Sequence, residues 1–136
     1  MSENQKLSLK RKSILKLKSE IQDLFANAER KDYQFFICLG HYSENVPKGK
    51  CKVFISVPKR CLAKATERNT VKRRIREAVR LNFQSLNTLC INNNIQLFYG
   101  IVWNRNFICE YVKIEENIIL SLRDIYNDIY EKLQNP

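Results

Sequence analysis

An α+β sandwich folded as one domain is what the sequence predicts, on three observations. Apolar residues recur at helical spacing near both ends of the chain, aromatic-rich period-two runs lie between them, and a long basic helix separates those runs. The 136 residues are 44% hydrophobic and 10% aromatic, and a chain of this size buries roughly 68–70% of its unfolded surface. Three Gly and three Pro punctuate the chain without forming a linker, and no internal repeat or low-complexity tract divides it. Residues 1–136 therefore read as one domain behind a basic leader of about 12 residues.

Each element has its own signal. Ile14, Leu17, Ile21, Leu24, Phe25 and Ala28 fall at i, i+3, i+7, i+10, i+11 and i+14, one apolar stripe on a first helix that follows Lys6, Lys10, Arg11 and Lys12. From Asp32 to Tyr42, Tyr33, Phe35, Ile37 and Leu39 alternate with Gln34, Phe36, Cys38 and Gly40, which predicts a strand. A turn at residues 45–50 leads to a second strand, Cys51 to Val57, ended by Pro58. A helix follows from about Thr66, as its N-cap, to about Asn87, and residues 89–94 return the chain. Ile95 to Trp103 is a further strand. The last helix covers about Ile114 to Leu133, where Ile118, Leu122, Ile125, Ile129 and Leu133 step by 4, 3, 4 and 4. The order is α-β-β-α-β-α, with room for a short extra strand near residues 41–46.

Charge separates the chain into two parts. The net charge is +10. Residues 1–80 hold 20 Lys and Arg against 8 Asp and Glu, whereas residues 81–136 hold 4 against 6. Positive charge gathered in one region is the footprint of a nucleic-acid binder, because each phosphate neutralised releases condensed counterions. An anionic membrane surface is the competing partner, and a solvated charged face the plain one.

Other chemistries find little support. No run approaches the roughly 20 apolar residues of a membrane span, and the first residues lack the apolar core of a secretory signal, so a cytoplasmic protein with no membrane partner is expected. Five cysteines, Cys38, Cys51, Cys61, Cys90 and Cys109, are spaced 13, 10, 29 and 19 apart and offer no C-x-x-C pair. They read as small buried hydrophobes. His41 is the one histidine, so an imidazole cluster is impossible. Asp124 and Asp128 are the nearest thing to a carboxylate pair, and they read as a solvated helix face. No catalytic residue, no metal site and no small-molecule substrate is expected.

The stretch from Lys59 to Arg80 carries the chemistry. On a helix, Arg68, Lys72 and Arg76 stand on one face, with Asn69, Arg73 and Arg80 on the adjoining strip and only Glu67 and Glu77 to dilute them. Val71, Ile75, Ala78 and Val79 form the opposite stripe, which docks on the sheet. Arginine forks suit bidentate capture of phosphate oxygens, and an Asn reads a base edge or clamps a ribose.

Arg68-Asn69-x-x-Lys72-Arg73-x-x-Arg76-Glu77, preceded by Ile55 to Arg60 and by Lys64-Ala65, resembles the signature region of the bacterial ribonuclease P protein component. The match is specific over about residues 53–83, with Thr70 standing where the family's Arg-Asn-Arg core has its second Arg. The resemblance implies the order α-β-β-β-α-β-α, a central four-stranded mixed sheet and a left-handed crossover around the signature helix. It implies a protein cofactor of the ribonucleoprotein endoribonuclease that removes the 5′ leader of precursor tRNA, with hydrolysis carried by Mg2+ ions on the RNA subunit. Carried over by residue, Lys59, Arg60, Lys64, Arg68, Asn69, Lys72, Arg73 and Arg76 contact the catalytic RNA. A cleft between the first helix and the sheet holds the leader through Phe25, Lys18, and Tyr33 or Phe36 on the first strand, with Ile21 and Cys38 where the family commonly has aromatics. The alternative is a non-enzymatic RNA-binding protein of ribosomal or RNA-chaperone type.

Overall fold

The computed structural model describes residues 18–135. Helix α1, Lys18–Asn27, leads into β1, Glu29–Asp32, and β2, Phe36–Ser43. After β3, Lys50–Ser56, come α2, Ala65–Asn82, and α3, Gln84–Asn92, then β4, Gln96–Trp103, and α4, Tyr111–Gln134. The four strands form one mixed sheet in the order β1-β2-β4-β3. β2 runs antiparallel to both β1 and β4, while β3 and β4 are parallel and joined by the α2–α3 crossover.

Strand alternation divides the interior into two layers. Phe36, Cys38, Val53, Leu97, Tyr99 and Ile101 face α2, α3 and α4 in the larger core. Ile37, Leu39, Phe54, Phe98 and Val102 face the other way, toward Leu24 of α1. The helix stripe read from Val71, Ile75, Ala78 and Val79 is buried on α2 as expected. Trp103 is fully buried against Phe35 rather than offered to a base.

Several boundaries differ from the sequence reading, each for a local reason. The strand expected over 32–42 is a hairpin, turned at residues 33–35 by the Tyr33 amide donating to the Phe36 carbonyl at 2.9 Å. The extra strand is β1, not a segment near 41–46, and its four residues are all charged and exposed. An edge strand of that kind discourages pairing with other chains and leaves no apolar signal to read. Lys64, not Thr66, is the N-cap of α2. The single helix expected to Asn87 breaks at Phe83, whose φ of −94° and ψ of −3° separate α2 from α3. That bend keeps Phe83 and Leu86 both in the core, and α3 extends to Asn92 through most of the expected return loop. Residues 14–17 of the expected first helix lie outside the described residues.

Gly49 is dictated by close approach. A Cβ there would meet the Ile95 nitrogen at 2.4 Å and the Cys90 carbonyl oxygen at 2.5 Å, both backbone atoms with nowhere to go.

Candidate nucleic-acid interface

The outward side of α2 is a cationic surface with a graded freedom of its side chains. Asn69, Arg73 and Arg76 are exposed, Lys72 is half-buried, and Lys64 sits exposed at the N-cap. Lys59 and Arg60 are exposed on a tight turn closed by the Cys61 amide donating to the Pro58 carbonyl at 3.0 Å. Arg68 is different: its Nη1 donates to the carbonyls of Leu62 at 2.9 Å and Ala63 at 2.7 Å, so it braces the loop that enters the helix. Thr70 turns its hydroxyl inward to the Thr66 carbonyl at 3.0 Å. Arg80 is paired with Glu77 at 2.7 Å, and its hydrogen bonds hold the Glu77 carboxyl below its ordinary range. The helix therefore offers Asn69, Lys72, Arg73 and Arg76 as its available strip.

A second surface lies where α1 crosses the sheet. Leu24 is fully buried over Gly100, whose missing side chain lets the helix approach, since a Cβ there would stand 2.9 Å from Leu24 Cδ2. Beside it Phe25 is 55% exposed and meets Phe54 edge-on, with centroids 5.6 Å apart and planes at 82°. Phe98 and Ile37 are half-buried on the same sheet face, and Ile21 packs on the small core beneath α1. Lys52 Nζ lies 2.7 Å from Glu20 Oε2 as an ion pair, and His41 Nε2 lies 3.7 Å from Asp23 Oδ2, so two side-chain contacts link α1 to the sheet. Lys18 is exposed at the start of α1.

Two expected groove residues are elsewhere. Phe36 is 1% exposed and belongs to the larger core on the opposite sheet face, and Cys38 follows it there by the same period of two. Tyr33 packs against that core and donates from its hydroxyl to Asp124 Oδ2 at 2.6 Å. The aromatic residues that share the α1 face with Phe25 are Phe54 and Phe98. The signal that identifies them was available in the strand parity of Leu39, Phe54 and Phe98, once the pairing of β3 with β4 is known.

Asp124 is half-exposed but partnered. Lys31 Nζ and the Tyr33 hydroxyl both bond its Oδ2 at 2.6 Å, and these contacts, Lys31 first, hold its pKa below the ordinary range. With Asp128 and Lys132 it borders a cavity of about 530 Å3 between the β1–β2 hairpin and α4. The thiols are similarly quiet: burial pushes Cys38 and Cys90 up to about 12 and Cys51 well above its ordinary value. Among the described residues no group of three or more His, Cys, Asp or Glu side chains could hold a metal ion, and no helix is long and apolar enough to cross a membrane.

The profile of the family described as Ribonuclease P matches residues 9–99, about two thirds of the chain. The chain belongs to the ribonuclease P protein family. Its fold agrees with solved members at low sequence identity. The RNase P protein of Staphylococcus aureus is 15% identical with a TM-score of 0.60, over 84% of this chain and 97% of that one. A Staphylococcus aureus RNase P protein mutant with defective mRNA degradation activity gives 13% identity and a TM-score of 0.63, over 92% of this chain and 98% of that one. The RNase P protein from Thermotoga maritima is 18% identical with a TM-score of 0.59, over 81% of this chain and 94% of its own. No curated protein sequence matches the chain. Membership in the ribonuclease P family implies an RNA partner and a setting in tRNA processing.

Proposed function

We propose that this protein is the subunit of ribonuclease P that binds the catalytic RNA through α2 and the 5′ leader of precursor tRNA across the α1 face of the sheet. The observation that carries the reading is the two-sidedness of α2: Val71, Ile75, Ala78 and Val79 are buried, while Asn69, Arg73 and Arg76 are exposed on the outward strip. A run of cations held on one face repels itself until phosphates neutralise it, and the released counterions drive assembly. Lys59, Arg60 and Lys64 extend the strip beyond the N-terminus of the helix.

The leader, being single-stranded, needs ring faces for its bases and cations for its backbone. Phe25, Phe54 and Phe98 supply the first, and Lys18 the second. Leader contacts raise the affinity for precursor over mature tRNA. Hydrolysis belongs to Mg2+ ions carried by the RNA subunit, and the protein lowers the demand for them by reducing phosphate repulsion where RNA and substrate approach. The holoenzyme works in the cytoplasm.

Charge reversal at Arg73 tests the role of α2. Arg73→Glu weakens assembly with the catalytic RNA and steepens the Mg2+ dependence of cleavage, measured by filter binding and by initial rates across a Mg2+ series. Arg73→Ala lowers the slope of log affinity against log salt by about 0.7–0.9, the contribution of one phosphate contact. Unchanged assembly in both variants removes α2 from the interface.

A further inference from the structure

The loop between β4 and α4, residues 104–110, is held from two sides. Arg74 reaches out of α2 and donates from Nη1 to the Cys109 carbonyl at 2.7 Å. At the other end the Cys61 thiol donates to the Trp103 carbonyl at 3.4 Å, which sets the Lys59–Arg60 turn against the end of β4. Within this frame Phe107 is 46% exposed. It has one ring partner, Phe35, met edge-on at 6.4 Å with 90° between planes, and Phe35 in turn stacks on buried Trp103 at 6.0 Å. The core thus anchors one side of the Phe107 ring and leaves nearly half of the residue to solvent. Ile108 and Val112 are exposed in the same stretch, as are the charges of Glu110 and Lys113, with Arg105 half-buried.

We propose that Phe107 is a stacking platform for one unpaired nucleotide of an RNA lying along α2, with Arg74 as the positioning residue that holds the loop beside the helix. The inference rests on the RNA-binding reading of α2 and adds to it a base contact outside the signature region and outside the α1 face. A lone ring with no hydrogen-bonding group offers a π-face that every base accepts, so the contact is tolerant of sequence. Charge favours RNA over a second copy of the chain as the occupant. The Cys61–Trp103 contact sets the exposed cations Lys59 and Arg60 against the end of β4, where this loop begins, so apposing two copies here would bring like charges together in a protein of net charge +10.

The test uses the full chain and a single-stranded oligoribonucleotide carrying 5-iodouridine. Irradiation of the wild-type complex yields a peptide adduct at Phe107. Phe107→Leu, which keeps apolar volume and loses the π-face, weakens binding about fivefold to a hundredfold, and Phe107→Tyr stays within about twofold. Arg74→Ala lowers the crosslink yield at Phe107 even when RNA is saturating, and Arg74→Lys restores part of it. Two results overturn the proposal. One is full affinity of Phe107→Leu together with adducts only at other residues. The other is a wild-type dimer in sedimentation equilibrium that Phe107→Leu dissociates, which makes the patch a self-association face. If Arg73→Glu abolishes binding while Phe107→Leu does not, the stacking contact fails and the role of α2 stands. If neither variant alters binding, both fail together.

Discussion

Asp124 accepts hydrogen bonds from Lys31 and Tyr33 on a single carboxylate oxygen and so fastens the β1–β2 hairpin to α4. The two ionisations in this latch give a pH signature. The Asp124 pKa is lowered by Lys31 and then Tyr33, so its contribution is present above the unfolded value near 4 and is lost as pH falls through the lower folded value. Burial, and then Asp124, push the Tyr33 pKa upward, so the phenol contributes below about pH 10 and its contribution is lost in more alkaline solution. Urea titrations across pH are expected to show Asp124→Asn with a shallower acid limb than the parent, and equal limbs contradict the latch. The two phenylalanines of the leader expectation separate by stability as well. Phe36→Ala costs about 3–5 kcal/mol in chemical denaturation because it empties a core site. Phe25→Ala leaves stability within about 1 kcal/mol and weakens leader binding by about 1–3 kcal/mol. Phe36 lies away from α1 because alternation fixes which residues share a face but not which face α1 covers.

At the level of elements, what the sequence revealed tracks what each element buries. The α2 stripe was legible because four buried positions at helical spacing oppose a run of cations. β1 was not, since Glu-Arg-Lys-Asp carries no apolar residue and pairs with β2 only through its backbone. The break at Phe83 was hidden for the opposite reason: the apolar residues flanking it continue a helical pattern. Arg74 carries no signal of its own within the run of cations, and its carbonyl partner is 35 residues away, beyond the reach of local spacing. Two predictions follow from element packing. Leu24→Ala loosens α1 at a cost of about 2–5 kcal/mol and lowers leader affinity while leaving affinity for the catalytic RNA unchanged, as read by fluorescence anisotropy with each RNA. Gly49→Ala forces backbone apart between the β2–β3 connection and the end of α3, and a loss of about 1–3 kcal/mol is expected in thermal or urea unfolding.

Over the whole molecule, one sheet keeps the two candidate surfaces apart. Its helical face fixes α2 with the cations outward, and its other face, crossed by α1, presents Phe25, Phe54 and Phe98. The family was legible from about residues 53–83, whereas the arrangement of the two faces needed the β2-β4-β3 pairing. With a cationic helix and an aromatic-bearing sheet face on one small scaffold, the proposal is that the protein binds and positions while the RNA subunit cleaves. The measurement that bears most directly on this is cleavage of a leader-bearing precursor tRNA at low millimolar Mg2+ by the catalytic RNA from the same source, with and without the protein, and with protein alone as control. The expected result is cleavage at the mature 5′ end that requires both components. Tight RNA binding with no stimulation of an active catalytic RNA would contradict the account and make this a general RNA-binding protein on a ribonuclease P fold.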